Sequence, residues 1–383
     1  MAKLTEANID AEIDKLADQF KDMASREPQS MMERFTKVMM FQEPDRLPVF
    51  MQIHDHSAKV AGIPLREMCT EPKKMLYAQL YAAVKYKFDT VITFADAYNY
   101  EAEALGAKML FPEDSFPVIL EPLIKEPRDL KKLDIPDFTK DGRGPYVIES
   151  TKLYLEKLGQ YAFATSVAAA PWSMAVQIRG FNNLVRDTRK NPEFAHKILD
   201  FCNDVIEAFI KTQQQTLGGV PAFPALADAF SCIPPTSPQL VYDFVIPHTA
   251  DITKRLGPMM WAGGFPIVEV PGWEQIVEDV VVKTGSLVGM VVMLESDWLP
   301  PQKIKEISNR IRKPWFFGVR AGIISKWTPT EIEKHVKNLI KVLAPGGGCA
   351  VFGDQVPRDT PPQNVQALVN SIKKYGKFPI SID

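Results

Sequence analysis

The feature that most constrains this chain is an alternation repeated from residue 45 onward: a short apolar run, an exit of small or polar residues, then a longer amphipathic stretch. The apolar runs lie at 47–53, 90–94, 162–167, 221–226, 259–261, 287–294, 315–319 and 349–352. Their shortness and their β-branched and aromatic residues predict strands. The stretches 73–88, 146–158, 191–217, 238–256, 273–282, 301–312 and 328–343 carry apolar residues at helical spacing or helix-start signals. Strand followed by helix, eight times over, predicts parallel strands joined by crossover helices, an α/β fold closed into a (β/α)8 TIM-type barrel.

The last unit shows the pattern most clearly. Cys349 to Phe352 is bounded by glycines and hands over to Asp354 and Gln355, and Thr360-Pro361 then opens the final helix. Thr360 is expected as the N-cap and Pro361 as the first helical residue. Asp354 thus falls at the C-terminal end of a parallel strand, where barrel enzymes carry their chemistry. The run GGG at 346–348 precedes a strand rather than opening a helix, so it is not a phosphate loop.

Residues 1–44 read as a separate helical arm ahead of the barrel at 45–383. Ile9, Ile13, Leu16 and Phe20 form one apolar stripe, Arg26-Glu27-Pro28 breaks it, and 31–40 forms a second amphipathic segment. Such a stripe packs against the barrel or against a second copy of the chain, so a homodimer is one candidate assembly. Hydrophobic residues make up 46% of the 383, enough for a large core, and the net charge of −2 gives no electrostatic case for nucleic acid or an anionic membrane. The scattered Cys69, Cys202, Cys232 and Cys349 suggest neither a disulfide framework nor a zinc knuckle, which fits a reduced cytoplasmic setting. The N-terminus lacks the apolar core of a signal peptide, and no run reaches the roughly 18 apolar residues of a membrane span.

The strand exits supply the candidate residues. His54-Asp55-His56 follows the first strand. On an extended segment both imidazoles would face one site, as metal ligands, bases or hydrogen-bond partners; the alternative is one helix cap and one solvated ring. Asp96 follows the second strand with Tyr98 and Asn99 close behind, and helix capping competes with function there. Trp172 and Gln177 follow the third, Asp228 the fourth, Trp261 the fifth, Glu295-Ser296-Asp297-Trp298 the sixth and Arg320 the seventh. Phe50, Met51, Trp172, Met174, Trp261, Met293 and Trp298 would give the mouth an aromatic, sulfur-bearing lining for a flat, weakly charged molecule, with about half of them expected as core. The proline-rich stretch 112–145 predicts a lid over the mouth or an edge hairpin.

The run GGGCAVFGDQVPRDTPPQNVQALVNSIKKYG, with EPDRLPVF, FADAYNYEAEALG and APWSMAVQIRG earlier in the chain, resembles the uroporphyrinogen decarboxylase superfamily. That superfamily holds the decarboxylase of haem synthesis and the cobamide-dependent methyltransferases. The resemblance implies a (β/α)8 barrel, and it places Asp96 at the family's aspartate that binds pyrrole nitrogens in the decarboxylase.

The departures from the family pattern direct the functional expectation. Decarboxylases of this kind place arginines after the first strand to hold a substrate with many carboxylates; here 47–65 holds no arginine, and Lys59 is its one cation. The family's tyrosine falls at Gln177 and its late histidine at Asp354. The His-x-Cys and late Cys that hold zinc in coenzyme M methyltransferases fall at 262–264 and Asp354, without either ligand type. The resemblance therefore implies a corrinoid-dependent methyltransferase, moving a methyl group from a small donor such as a methoxylated aromatic to the cob(I)alamin of a partner corrinoid protein. His54, His56, Asp96 and Asp354 are its expected catalytic residues. Phe50, Tyr98, Trp172, Gln177, Asp228, Trp261 and Arg320 are expected to contact the substrate. Zinc on His54, His56 and Asp354 is a further expectation. The alternative is a decarboxylase-like lyase acting on a smaller carboxylated substrate held by Arg179 or Arg320.

Overall fold

The computed structural model describes residues 4–96, 98–220, 222–292 and 295–381. Helices α1 (Ile9–Ser25) and α2 (Met31–Met39) form the arm. The stripe of α1 is buried, with Ile13 fully inaccessible, against the helix Pro72–Tyr86. A reciprocal cap starts α2: Ser30 Oγ accepts from Glu33 N and Glu33 Oε2 accepts from Ser30 N, at 3.2 and 2.6 Å. Its Phe35 ring lies 4.6–5.3 Å from the rings of Phe163, Phe223 and Phe316 and stops the barrel from below.

The helix α3 (His54–Ala61) follows the segment 47–53. A two-residue hairpin ladder, β1 (Met109–Leu110) with β2 (Val118–Ile119), stands in the proline-rich insertion. The six strands β3 (Ala164–Ala169), β4 (Ala222–Ala227), β5 (Met260–Ala262), β6 (Gly289–Val291), β7 (Trp315–Val319) and β8 (Cys349–Gly353) follow. They pair in parallel in simple chain order, with right-handed crossovers expected of such units. The final helix starts one residue later than expected: Pro361 is its N-cap, and the helix runs over Pro362–Tyr375.

The first two expected strands are extended but do not join the regular ladder. Segment 47–53 lies beside β8, where Gln52 N donates to Gly353 O at 2.8 Å and Gly353 N to Phe50 O at 3.1 Å, and Asp89 N donates to Val49 O at 3.0 Å. Among the described residues no backbone hydrogen bond links 90–95 to β3. Side chains complete that edge of β3. Tyr154 Oη accepts from Phe163 N at 2.6 Å, Gln213 accepts from Val167 N and donates to Val167 O at 3.0 Å each, and Glu101 Oε1 accepts from Ala169 N at 2.7 Å. These buried backbone groups find partners without a neighbouring strand. At this seam, among the described residues, the six-stranded sheet is not continued by a further strand, and side chains supply backbone partners in its place.

The floor is ionic. Arg34 binds Asp45 with both branches at 2.7 and 2.6 Å, and Arg46 binds Asp89 with two bonds of 2.6 and 2.8 Å. Glu27 bridges the two arginines. Both guanidiniums are buried.

Candidate functional site

A cavity of about 530 Å³ occupies the barrel interior. It exists because the wall is small where it faces inward: Thr90, Thr165, Ala225, Ala227 and Ala262 line it, where a filled barrel would place large branched side chains. Phe163 and Thr90 border it near the floor. Phe116, Pro117, Val118 and Ile119 cover it from the hairpin, so the insertion is both hairpin and lid. Arg66 with Glu113, and Arg358 with Asp114, tie that lid to the helix Leu65–Thr70 and to the loop after β8. Gln355 is exposed and also lines the cavity, so the cavity meets solvent there. Its backbone is left-handed, with φ of 47°, and its amide donates to Gln52 Oε1 at 3.2 Å.

Among the described residues no arginine or lysine lines this cavity. Its polar groups are neutral, apart from Asp96, which is committed: Oδ2 accepts from Arg143 Nη2 and Oδ1 from Asn99 Nδ2, each at 2.8 Å. Arg143 stands outside the lining, and Tyr100 and Phe111 lie 4.7 and 5.1 Å from its guanidinium. Its remaining branches go to Glu103 and the Cys69 carbonyl. The helix following Asp96 is capped at Asn99, not at Asp96.

His54 lines the cavity, is 6% exposed, and its Nδ1 has no partner. Burial holds its ring near a pKa of about 4, against a hydrogen bond to the Phe94 backbone that favours the charged form, so the imidazole is neutral at physiological pH. Tyr98 also lines the cavity; its hydroxyl accepts from Ala229 N at 3.3 Å, and burial raises its pKa above the usual phenol range. Phe50 and Gln177 complete the expected residues found here.

Other expected site residues stand elsewhere. The segment at 54–61 is helical rather than extended, and residues two apart on a helix point about 200° apart. His56 therefore turns away and bonds Tyr86 Oη at 2.8 Å and the Arg358 carbonyl at 3.2 Å. Trp172 and Trp261 are core, with Trp172 Nε1 donating to Phe230 O at 3.0 Å. Arg320 pairs with Asp297, and Arg179 with Asp187, and neither lines the cavity. Asp354 is fully buried beneath the lining, with Val319 O accepting from its backbone N at 3.0 Å. Asp228 is likewise buried outside the lining, where Ser173 Oγ donates to it at 2.6 Å. Met51, Met174 and Trp298 do not line the cavity, and Met293 lies outside the described residues. The zinc expectation finds no ligand set. His54, His56 and Asp354 do not converge, and among the described residues no three His, Cys, Asp or Glu side chains are placed to hold one ion.

Sequence reading passed over Glu101 and Glu295 as charges to explain. Burial pushes each carboxyl up to about 8. Glu295 accepts from Phe265 N and Val292 N at 2.7 and 3.3 Å, and so shapes the loop after β5. Burial likewise raises Asp228 to about 6. Only a buried position, invisible in a helix-start motif such as ESDW, would have marked Glu295.

A family model for uroporphyrinogen decarboxylase (URO-D) matches residues 30–375. The uroporphyrinogen decarboxylase of Ovis aries is 22% identical over 322 residues, covering 81% of this chain and 83% of its own. That of Sulfurimonas denitrificans is 21% identical over 353 residues, covering 90% and 95%. Among solved structures, a methyltransferase from Methanosarcina mazei superposes with a TM-score of 0.76 at 17% identity, over 90% of this chain and 99% of that one. With the barrel, its strand order and a match running from the arm's second helix to the last, the chain belongs to the uroporphyrinogen decarboxylase family.

Proposed function

We propose that the chain is a methyltransferase that holds a small methyl donor in the barrel cavity and passes the methyl group to a corrinoid carried by a partner protein. The observation that carries this reading is the cavity lining, which is largely apolar and aromatic and, among the described residues, without an arginine or lysine. A substrate with several carboxylates needs guanidinium partners, and the two arginines available to a lyase are paired elsewhere. The likeness to a methyltransferase fold agrees with this reading.

A reduced corrinoid supplies the nucleophile for the methyl group, and the neutral amide of Gln355 at the opening suits its amide-bearing rim. The chain's own residues position the donor and answer the charge that develops on its oxygen. As the carbon–oxygen bond of an aryl ether breaks, its electron pair stays on oxygen. The Tyr98 hydroxyl, held through its oxygen by Ala229 N, has its O–H free to donate to that oxygen. The neutral His54 ring lines the cavity, and a neutral imidazole carries one N–H donor and one acceptor nitrogen for a polar group of the methyl donor. The lid of Phe116 to Ile119 excludes water. His54 thus acts in this reading as a neutral hydrogen-bonding partner of the donor.

The test is incubation of the full chain with cob(I)alamin and a panel of methoxylated aromatics and methylamines, followed by corrinoid absorbance. Methylation with an uncharged methoxyaromatic is expected. Failure of every donor, with turnover of a carboxylated substrate to carbon dioxide, would establish the lyase reading instead.

A further inference from the structure

We infer that Asp96 is an internal counter-ion that masks Arg143, and that the cavity consequently selects uncharged ligands carrying a hydrogen-bond donor over carboxylates of the same shape. This deepens the proposed function by naming the ligand class, and it rests on that reading only for where the ligand binds.

Three observations converge. First, every side chain lining the cavity is uncharged except Asp96 and the neutral-held His54, so a buried carboxylate would find no cation there. Desolvating an unpaired charge is among the most costly events in a protein interior. Second, a cation does stand directly behind the lining. Arg143 touches the cavity's wall through Asp96 alone, at 2.8 Å, and its other donors are taken by Glu103 and the Cys69 carbonyl. The side chains of Asp96 and Arg143 are only 4% and 7% exposed. Without the Asp96 carboxylate, one branch of the guanidinium would face the cavity and offer a carboxylate the geometry that such groups prefer. Third, His54 lines the same space as a neutral ring and so offers an incoming carboxylate no positive charge. A neutral amide, with both an N–H and a C=O, can pair with either tautomer of that ring, whereas a carboxylate can only accept and brings an unpaired charge. Asp96 therefore sets ligand charge by occupying the arginine, as a positioning residue that need not touch the reacting atoms.

The experiment measures binding of two probes of matched shape, 4-methoxybenzamide and 4-methoxybenzoate, to the full chain by calorimetry at pH 7 without any corrinoid protein. The wild-type chain is expected to bind the amide at least about tenfold more tightly. Asp96→Ala is expected to reverse that preference, and the isosteric Asp96→Asn to narrow it. Unfolding or loss of packing would weaken both probes together, so the ratio reads charge selection rather than stability. If Asp96→Ala does not fold, the Asp96→Asn ratio still decides. Equal or tighter binding of the carboxylate by the wild-type chain overturns the inference, as does an unchanged ratio in both variants. Binding of neither probe also overturns it, because one substituted ring is well within about 530 Å³. Selective amide binding without methyl transfer to cob(I)alamin would overturn the proposed reaction and leave this inference standing.

Discussion

The two ends of the barrel treat charge in opposite ways. At the floor, carboxylates are paired with arginines, and Glu27 and Asp45 are held low. Burial alone would raise Glu27, but Arg46, with Lys373 and Arg34, brings it down to about 2. At the mouth, carboxyl groups are buried among backbone donors and hydroxyls, and burial pushes Glu101 and Glu295 up to about 8. The floor uses ion pairs to bind the arm and the starts of the first two barrel segments together. The mouth keeps cations away from the cavity, even where Arg143 is close at hand. A network of charges that fixes structure and a hollow that selects for neutrality therefore coexist within one barrel, and the difference between them is the supply of guanidinium groups.

The largest expected effect lies at the floor. Arg46→Ala removes both bonds to buried Asp89 and the link to Glu27. It should destabilise the fold by about 3–5 kcal/mol, because it leaves buried Asp89 with only the Val49 amide at 2.8 Å and the more distant Arg34 and Lys373 at 3.8 and 3.9 Å. Denaturant titration measures this. A loss under about 1 kcal/mol would mean that the floor network contributes no more than surface pairs do.

The two histidines give a smaller and sharper contrast. His56→Ala strands Tyr86 Oη and the Arg358 carbonyl, and should cost about 1–3 kcal/mol of stability with little change in rate while the protein stays folded. His54→Ala should do the reverse, preserving stability and lowering kcat/KM about three- to tenfold, the worth of one neutral hydrogen bond to the donor. Steady-state rates and melting curves of the same two preparations separate these outcomes. A large rate loss in His56→Ala would require a route from α3 to the cavity that the geometry lacks.

How much of this was legible beforehand follows from range. The strand exits were readable because they depend on local patterns of apolar runs, glycines and capping residues, and Asp96, Tyr98, Gln177, His54 and Phe50 all came to the cavity from such exits. The divergence of His54 and His56 was not, because one residue decided it: the helix α3 begins at His54 itself. Arg143 was not readable either. It lies 47 positions from Asp96, within a proline-rich insertion whose path only tertiary packing sets. The seam beside β3 was not readable either, where Gln213 and Glu101 supply partners to the strand's backbone. No pattern in strand residues announces a partner supplied by a distant helix.

A further expected effect is in the pH dependence of stability, and the two ends contribute opposite signs. Glu27 is lowered from 4.5 to about 2 in the fold. Its contribution is present above the unfolded value and is lost as pH falls from about 4.5 through about 2. Glu295 is raised from 4.5 to about 8. Its folded form binds the extra proton, so its contribution is present at low pH and is lost as pH rises from about 4.5 through about 8. Glu295→Gln mimics the protonated group and should flatten the alkaline decline while leaving the acid limb unchanged. An unchanged alkaline limb in that variant would place the sensitivity in Glu101 or elsewhere.

The central claim is that the methyl donor sits in the barrel cavity. Ala225 lines that space from the middle of β4, so Ala225→Phe places a ring where the donor is held without touching Asp96, Tyr98 or His54. Single-turnover methylation of cob(I)alamin by an uncharged methoxyaromatic should fall at least about a hundredfold in this variant, because productive positioning is lost, while its melting curve stays cooperative. A folded Ala225→Phe protein that methylates cob(I)alamin at the wild-type rate would contradict the account.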